Sequence, residues 1–503
     1  LAFDEKKSGN PSASSRELFL RAIRRVDWKR QLCMLAGVLL FAAAYLCPSL
    51  PDAVDPLGNH FPLTHEGKAA LGLFLLAVTW WVFDVVPIGV TSITIGVIQA
   101  LFLIRDPRVA FSDFMSPPVW FIFGSIIIGM AFTRTGLARR MAYRMLVLSG
   151  ERTSMIYLGS FLMTGVLTMM MAHTAVAAVV YPLLMAVYTL YQEDDKPTRF
   201  GKGLFMGMAF TAAAGSVITL LGAARGVVAI GFFREMVGRD ISFFQVSYYM
   251  FPLGWSMIFL LWGFFMIFFR PETKTIPGLR ERAKALSDRL GPITQTEWLT
   301  MVIAFSAIAL LILKPFIPVL EPLDMSVIIL LATVLLFLFR VLTITDLEEV
   351  PWNIVLLFGG AMSIGFCLWQ TGASRWIAVH GLAMFQETPG FVFIMVISLL
   401  SLIITNFIMN VSVIAIALPV ALVIAGYLGI SPELVMFVIL ATVGMPMLLL
   451  VGAAPNAIAF ESRQFTHREF FMYGSLASAL LMALLGLFIW IIWPLMGMPV
   501  LAP

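Results

Sequence analysis

Two apolar stretches of this chain are each interrupted by a short polar break, and the two interruptions are built alike. One reads Ala172-His173-Thr174, with Pro182 eight residues after Thr174; the other reads Met409-Asn410-Val411, with Pro419 eight residues after Val411. Each is followed by a second break of small residues, Gly222-Ala223-Ala224-Arg225-Gly226 and Gly452-Ala453-Ala454-Pro455-Asn456. The apolar runs 157–171 and 174–191 meet at His173, and 390–409 and 411–428 meet at Asn410. They abut too closely to be separate spans joined by an exposed loop. A helix, a break and a second helix in that form read as a re-entrant hairpin or a broken helix. Irregular backbone at membrane depth is tolerated only where it is buried in protein or lines a cavity, so the four breaks constrain the fold and mark the place to look for a site.

That these runs lie in a membrane follows from composition. The 503 residues are 60% hydrophobic and 12% charged, with a mean hydropathy of +0.94. A water-soluble domain carries about 25% charged residues. Repeated long apolar runs point to helices rather than a barrel, so the fold class is an all-α polytopic membrane protein. The net charge of +4 comes from basic residues in loops, which serve topology and not nucleic acid. Cys33, Cys47 and Cys367 are scattered without metal-ligand spacing, and no bridge between Cys33 and Cys47 is expected. No cleavable leader is expected either, since Leu1–Lys29 is polar and basic and the apolar run 31–48 is long enough to span. No nucleophile with a base and no metal cluster appears, which disfavours an enzyme, and no pore-lining ring appears, which disfavours a channel.

Basic residues set the topology, because cytoplasmic loops are enriched in Lys and Arg. Arg16, Arg21, Arg24, Arg25, Lys29 and Arg30 place the N-terminal segment inside. Arg134, Arg139, Arg140 and Arg144 do the same for the loop after 118–133, and Arg270, Lys274, Arg280, Arg282, Lys284 and Arg289 for the linker 271–297. One path satisfies them all, with about eleven spans and two hairpins, the first entering from the cytoplasm at 157–191 and the second from outside at 390–428. The N-terminus is then cytoplasmic and the C-terminus outside, in a plasma (inner) membrane. Leu279, Ala283, Leu286 and Leu290 fall at helical spacing, so the linker is read as a helix on the membrane surface or as a solvated connector.

The two halves also share a motif. Phe123-Gly124-Ser125, Gly129, Thr135-Gly136 and Arg139 match Gly359-Gly360-Ala361, Gly365, Thr371-Gly372 and Arg375 at a constant offset of 236. The prolines and small-residue breaks follow in the same order. With the hairpins entering from opposite sides, this predicts two inverted-topology repeats, the signature of a secondary transporter.

On these features the chain resembles the divalent anion/sodium symporter family, which includes sodium-coupled dicarboxylate and citrate carriers. The resemblance covers nearly the whole chain: the span order, both hairpins, both loops, and Trp81-x-x-Asp84-x-x-Pro87, similar to the family's Trp-x-x-Glu-x-x-Pro. It implies a homodimer in the lipid bilayer, with scaffold helices at 31–116 and 247–349 after a cytoplasmic segment 1–30. It further implies a first-repeat core at 117–246 with a broken helix 203–234, and a second-repeat core at 350–469 with a broken helix 433–461. The last helix and C-terminus occupy 470–503. The cores would move as an elevator, binding the anion between the hairpin tips and sodium beside each tip. The family's Ser-Asn-Thr tips are altered here. Ala172 and His173 replace Ser and Asn while Thr174 is kept; Met409 and Val411 replace Ser and Thr while Asn410 is kept, with Ser412 one place later. In the Gly-Thr-Pro-Pro-Asn loops, Arg225 and Gly226 stand in place of Pro-Asn in the first half, and Pro455-Asn456 remain in the second.

The residues carry an independent reading. A helix N-terminus presents unpaired N–H groups and roughly +0.5 charge, so two of them facing one cavity make an anion site without a charged side chain. Candidate substrate-binding residues are His173, Thr174, Arg225, Asn410, Val411, Ser412, Ala454 and Pro455. Candidate ion-coupling residues are Ala172, His173, Gly222, Asn410, Gly452 and Asn456, with a possible sodium near Asn410 and Asn456 and no other cofactor. A charge at mid-bilayer costs about 2.5–3.5 kcal/mol on insertion scales. Arg225 is therefore either a fixed cation for a carboxylate, sulfonate or phosphate, or a cap on carbonyls released by the helix break. His173 is a donor to substrate, a proton-coupling group or a packed polar residue. Asp84 reads as a boundary carboxylate, and Met169, Met170 and Met171 as packing. The expected function is secondary transport of a small anion, with sodium symport of a dicarboxylate and sodium-independent exchange both open. The alternatives are proton-coupled carriage of sulfate- or sulfonate-like anions, and a cation/proton antiporter. The antiporter would want membrane carboxylates, and the second halves of both hairpins contain none.

Overall fold

The computed structural model describes residues 27–192, 196–223, 225–382, 385 and 388–501. Arg16, Arg21, Arg24, Arg25 and Ala224, all named above, lie outside the described residues. Among those described the chain is helical apart from one small hairpin, Ala53–Val54 paired antiparallel with His60–Phe61. Eight helices are long and apolar enough to cross a membrane. Five further apolar helices are shorter: Ile88–Leu101, Thr153–Thr168, Met325–Leu338, Gly390–Ile404 and Pro432–Val443. Three of these end at a break. Thr153–Thr168 stops before Ala172-His173-Thr174, Gly390–Ile404 before Met409-Asn410-Val411, and Pro432–Val443 before the second small-residue segment. The expected all-α membrane fold is what the chain adopts.

The glycine motif has a local meaning in both halves. Helix Pro117–Arg134 ends on Thr135 and turns through Gly136 at φ 82° into helix Leu137–Ser149. Helix Trp352–Gln370 ends on Thr371 and turns through Gly372 at φ 76° into helix Ala373–Leu382. A left-handed residue at this joint strongly favours glycine. Thr135 and Thr371 both donate to the carbonyl four residues back at 2.7 Å, Ala131 O and Cys367 O.

The interior is assembled by small residues that let helices close on one another. Gly203, Gly207 and Gly215 lie on one face of helix Arg199–Gly215. A Cβ at Gly207 would come within 2.0 Å of the Phe161 ring, and one at Gly203 within 2.3 Å of the Tyr157 hydroxyl. Tyr157 is held there by the carbonyls of Phe200 at 2.9 Å and Phe269 at 3.1 Å.

The linker 271–297 is built rather than loose. Helix Leu279–Arg289 forms at the predicted position, burying Leu279 and Ala283 against helix Leu137–Ser149 and leaving Arg280, Arg282, Lys284 and Arg289 exposed. Arg140 donates to Glu297 Oε1 at 2.9 Å and to Gly291 O at 2.8 Å, locking the turn into helix Gln295–Leu313. Glu272 accepts from the Tyr191 hydroxyl at 2.8 Å and from the Arg199 N–H at 2.5 Å. Burial pushes the Glu272 carboxyl up, but the hydrogen bonds from Arg199, Tyr191 and Phe200 outweigh it and hold the group below the usual range. Asp84 is exposed, in a left-handed conformation with φ 46°, as a boundary residue should be.

Candidate functional site

The first site segment begins where helix Thr153–Thr168 ends. Met169–Ala172 is non-helical and helix His173–Tyr191 starts directly after it. Ala172 occupies the cap position and offers no side-chain acceptor. Instead the His173 N–H donates to Gly222 O at 3.2 Å, so this tip is fastened to the neighbouring break backbone to backbone. Thr219 adds a second tie, its hydroxyl donating to Met169 O at 2.7 Å. Gly222 permits the approach, since a Cβ there would lie 2.2 Å from Thr168 O. The His173 imidazole keeps a buried Nδ1 without a partner and sits within electrostatic range of Arg225. Thr174 is exposed.

The second site segment repeats the plan with other side chains. Helix Gly390–Ile404 ends, Thr405–Met409 intervene, and helix Asn410–Tyr427 starts with Met409 as an equally inert cap. Thr405 donates to Asn410 Oδ1 at 2.9 Å, with Val443 O at 3.2 Å. Asn406 ties the tip to the adjacent break: its Oδ1 accepts from Leu448 N at 2.9 Å and Leu449 N at 3.1 Å, and its Nδ2 donates to Leu402 O at 2.7 Å. Val411 and Ser412 are buried, and Ser412 Oγ has no partner.

Three helices away from the breaks start with capping boxes, at Ser242/Gln245, Thr294/Glu297 and Thr466/Glu469. The helices that start at His173, Asn410 and Ala454 have no side-chain cap. Unsatisfied first-turn N–H groups pull toward an anion, so the polarity of these starts comes from backbone and not from charge.

The small-residue breaks are longer than the sequence suggests. Helix Arg199–Gly215 stops at Ser216, and helix Pro432–Val443 stops at Gly444, eight residues before Gly452. The second-half helices then pack crosswise. Helix Arg225–Val237 lies against helix Asn410–Tyr427, and helix Ala454–Phe460 lies against helices His173–Tyr191 and Arg199–Gly215. Each half therefore lends its broken helix to the other half's tip. Arg225 makes the crossing in one side chain. It is 3% exposed, and its Nη2 donates to Ser216 Oγ at 2.5 Å and to Gly444 O at 3.2 Å, while Nε stays unpartnered. Among the described residues it faces no carboxylate. Asn456, 1% exposed, donates through Nδ2 to Pro446 O at 2.8 Å and Leu449 O at 3.0 Å. Its Oδ1 has no partner. That amide orientation spends the nitrogen on the break and leaves the buried oxygen unpaired. Pro455 is buried at the start of the helix, Ala454 is exposed and Gly452 half-buried beside Asn406.

Ser216, Thr219, Thr405, Asn406 and Gly444 were not among the residues expected from sequence. A signal existed for the second half: Thr405-Asn406 is a polar pair inside an apolar run, and Gly444 with Pro446 announces an early helix end. Ser216 and Thr219 carry no such mark, since a serine or threonine in a membrane helix usually bonds its own backbone.

The family described as sodium:sulfate symporter transmembrane region matches residues 37–499. The sodium-dependent dicarboxylate transporter SdcS of Staphylococcus saprophyticus is 23% identical over 463 residues, covering 88% of this chain and 89% of its own. The protein of that name from Staphylococcus aureus strain MRSA252 is 24% identical over 451 residues, covering 85% and 86%. In fold the chain is similar to Neisseria gonorrhoeae MtrF, described within a class of antimetabolite efflux pumps, with a TM-score of 0.58 at 15% identity, covering 96% of this chain and 100% of that one. It is also similar to the YdaH transporter of Alcanivorax borkumensis, with a TM-score of 0.53 at 15% identity over 95% and 98%.

Proposed function

The chain belongs to the sodium:sulfate symporter family, and from that membership we propose that it carries a dicarboxylate-class anion across the membrane, coupled to sodium through the second half alone. The helix starts at His173 and Asn410 would hold the anion, with Thr174, Asn410 and Ser412 adding donors. Helices Thr153–Thr168 with His173–Tyr191, and Gly390–Ile404 with Asn410–Tyr427, would be the two re-entrant hairpins of inverted repeats, moving as an elevator against the scaffold helices of a homodimer. The named relatives are sodium-dependent dicarboxylate transporters, which supports the substrate class and the ion.

The observation that carries the coupling is the difference between Asn456 and Arg225. Sodium needs neutral or anionic oxygens. Asn456 Oδ1 is buried and unpartnered, beside a break rich in backbone carbonyls. At the first break Gly226 stands in the sequence position of Asn456, and the preceding Arg225 brings a guanidinium bonded to Ser216 and to Gly444. A fixed positive charge there does what a bound cation would do for an anion in a low-dielectric site, without travelling. The reading predicts fewer coupled sodium ions than two equivalent sites would give.

The test is succinate uptake into proteoliposomes across a sodium series balanced with choline. Uptake should collapse to background in choline and rise with sodium at a Hill coefficient near one contributed by the protein's single site. Full uptake in choline would instead favour a sodium-independent exchanger or a proton-coupled carrier, the second reading that the Arg225 geometry admits. Sulfate and a sulfonate as competitors decide the anion class.

A further inference from the structure

Away from the breaks, a cavity of about 500 Å³ opens between helices Leu137–Ser149 and His173–Tyr191, roofed by Leu286 of the surface helix Leu279–Arg289. Its walls are small and apolar. Ala138 and Ala142 stand one turn apart on one helix, and Ala178, Pro182 and Ala186 follow one another at four-residue steps on the other. Matched small residues on facing helices leave a slot instead of an interlocked seam. Pro182 has no N–H, so Ala178 O lacks its helical donor, which gives one wall a polar stripe. The remaining polar lining is Thr133, Tyr143 and Arg139. Arg139 is exposed and makes no ion pair among the described residues. Its neighbour Arg140 is consumed by Glu297.

Charge and shape select the occupant. A small multivalent anion would lose most of its hydration here for one guanidinium, a phenol and a hydroxyl, among walls that offer it nothing. A hydrocarbon chain loses nothing by entering, and an apolar slot left to water is unfavourable. The rim lies on the face that the basic loops place in the cytoplasm, beside Arg280, Arg282, Lys284 and Arg289 on the surface helix. Basic pockets between helices on that side suit anionic lipid headgroups. We propose that this slot binds an anionic phospholipid of the cytoplasmic leaflet, one acyl chain between the alanine faces and the phosphate on Arg139 and Tyr143, with the surface helix supplying longer-range attraction. The binding rests on the cavity alone. Its consequence rests on the transport reading above: a lipid wedged against helix His173–Tyr191 would make hairpin movement depend on membrane charge.

The experiment is lipid retention by the purified protein, measured by native mass spectrometry after exchange into mixtures of phosphatidylglycerol and phosphatidylcholine. The expected result is about a tenfold preference for phosphatidylglycerol, reduced to less than twofold in Arg139→Gln and only slightly in Lys284→Gln. Ala178→Trp, a change at an exposed position that fills the slot, should cut retention of both lipids. A preference unchanged in Arg139→Gln, or retention unchanged in Ala178→Trp, overturns the site. So does equal retention of soluble glycerol phosphate, which would mean that the chain is not gripped. Thermal melting of both variants in detergent shows that each is folded. If retention follows the prediction while succinate uptake ignores lipid charge, the site stands and the moving hairpin is what fails.

Discussion

At the first break the side chains are an imidazole and a guanidinium, His173 and Arg225, and tip and loop are tied backbone to backbone, His173 N to Gly222 O, and by the Thr219 hydroxyl to Met169 O. At the second break they are neutral amides, Asn406, Asn410 and Asn456, and the tie is made by a side chain, Asn406 to the N–H groups of Leu448 and Leu449. The backbone plan is shared: a helix stops, an uncapped helix begins, and a long irregular segment lies beside it. What differs is the charge that each place can accept. A break lined by amide and carbonyl oxygens can admit a cation and release it. On the proposed reading a break filled by a guanidinium would not, and its charge would stay constant through a cycle.

The sharpest way to break this comparison is Arg225→Ala. Each hydrogen bond from a charged donor is worth about 1.5–3 kcal/mol, and Arg225 makes two, one to Ser216 in its own half and one to Gly444 that joins the halves. Uptake should fall by about a hundredfold, with Arg225→Lys recovering part of it, because an ammonium retains the charge but not the planar fork. Wild-type uptake in Arg225→Ala would end the idea of a fixed cation. Next in size is Asn456→Ala, which removes the unpartnered Oδ1 together with two ties to the break. The sodium concentration for half-maximal uptake should rise about tenfold, equivalent to about 1.4 kcal/mol, with a smaller change in succinate affinity; an unchanged sodium requirement would move the ion elsewhere. Thr405→Val keeps the shape and removes the hydroxyl that orients Asn410. One neutral hydrogen bond is worth about 1 kcal/mol, so a rise of about fivefold in the substrate KM is expected, at unchanged thermal stability within about 1 kcal/mol.

The smallest effect concerns how the outer ends of the two helix pairs are held. The first pair is clamped by Glu272, which receives Tyr191 and the start of helix Arg199–Gly215. The second has no carboxylate bridging its two helices: Ser431 N donates to Val500 O at 3.0 Å, the Tyr427 hydroxyl to Asp55 at 3.1 Å, and Glu433 pairs with Arg239 at 3.1 Å. Glu272 is held below its ordinary value of 4.5 in the folded protein. Its contribution is therefore complete above that value and fades as pH falls through the lower, native one. Glu272→Gln should melt a few degrees lower near neutrality and lose less than the parent on acidification below pH of about 4.5. Parallel melting curves for the two proteins across that window would remove Glu272 from the account.

Much of this was legible in the chain because apolar runs and helix breakers are strong, local signals. Both tips and both proline-bearing helices follow from spacing and residue type; the repeated glycines Gly136 and Gly372 and the helical spacing at Leu279–Leu290 were visible, but not the left-handed joints, nor the choice between a surface helix and a solvated connector. Each tip helix begins one residue earlier than read, at His173 and Asn410, because an inert cap residue leaves no mark in sequence. The partners of Arg225 were not legible. Nothing local distinguishes Gly444 as an acceptor, and its role exists only because two distant breaks are brought together. The orientation of Asn456 was hidden for the same reason, since it is set by the carbonyls of Pro446 and Leu449 on a loop whose length the sequence understates.

Arg225 also bears on how the protein is made. One of its partners lies nine residues away and the other 219 residues away. A chain emerging from the ribosome therefore presents this guanidinium to the bilayer long before Gly444 exists, with Ser216 as its early companion. Helix Arg225–Val237 cannot settle in its final place until the later half has been inserted, so the first half waits on the second. Truncation after the linker should leave this one segment accessible to water-soluble labels while its neighbours are already integrated. Full labelling protection of this segment in the truncated chain would show that it settles without the later half.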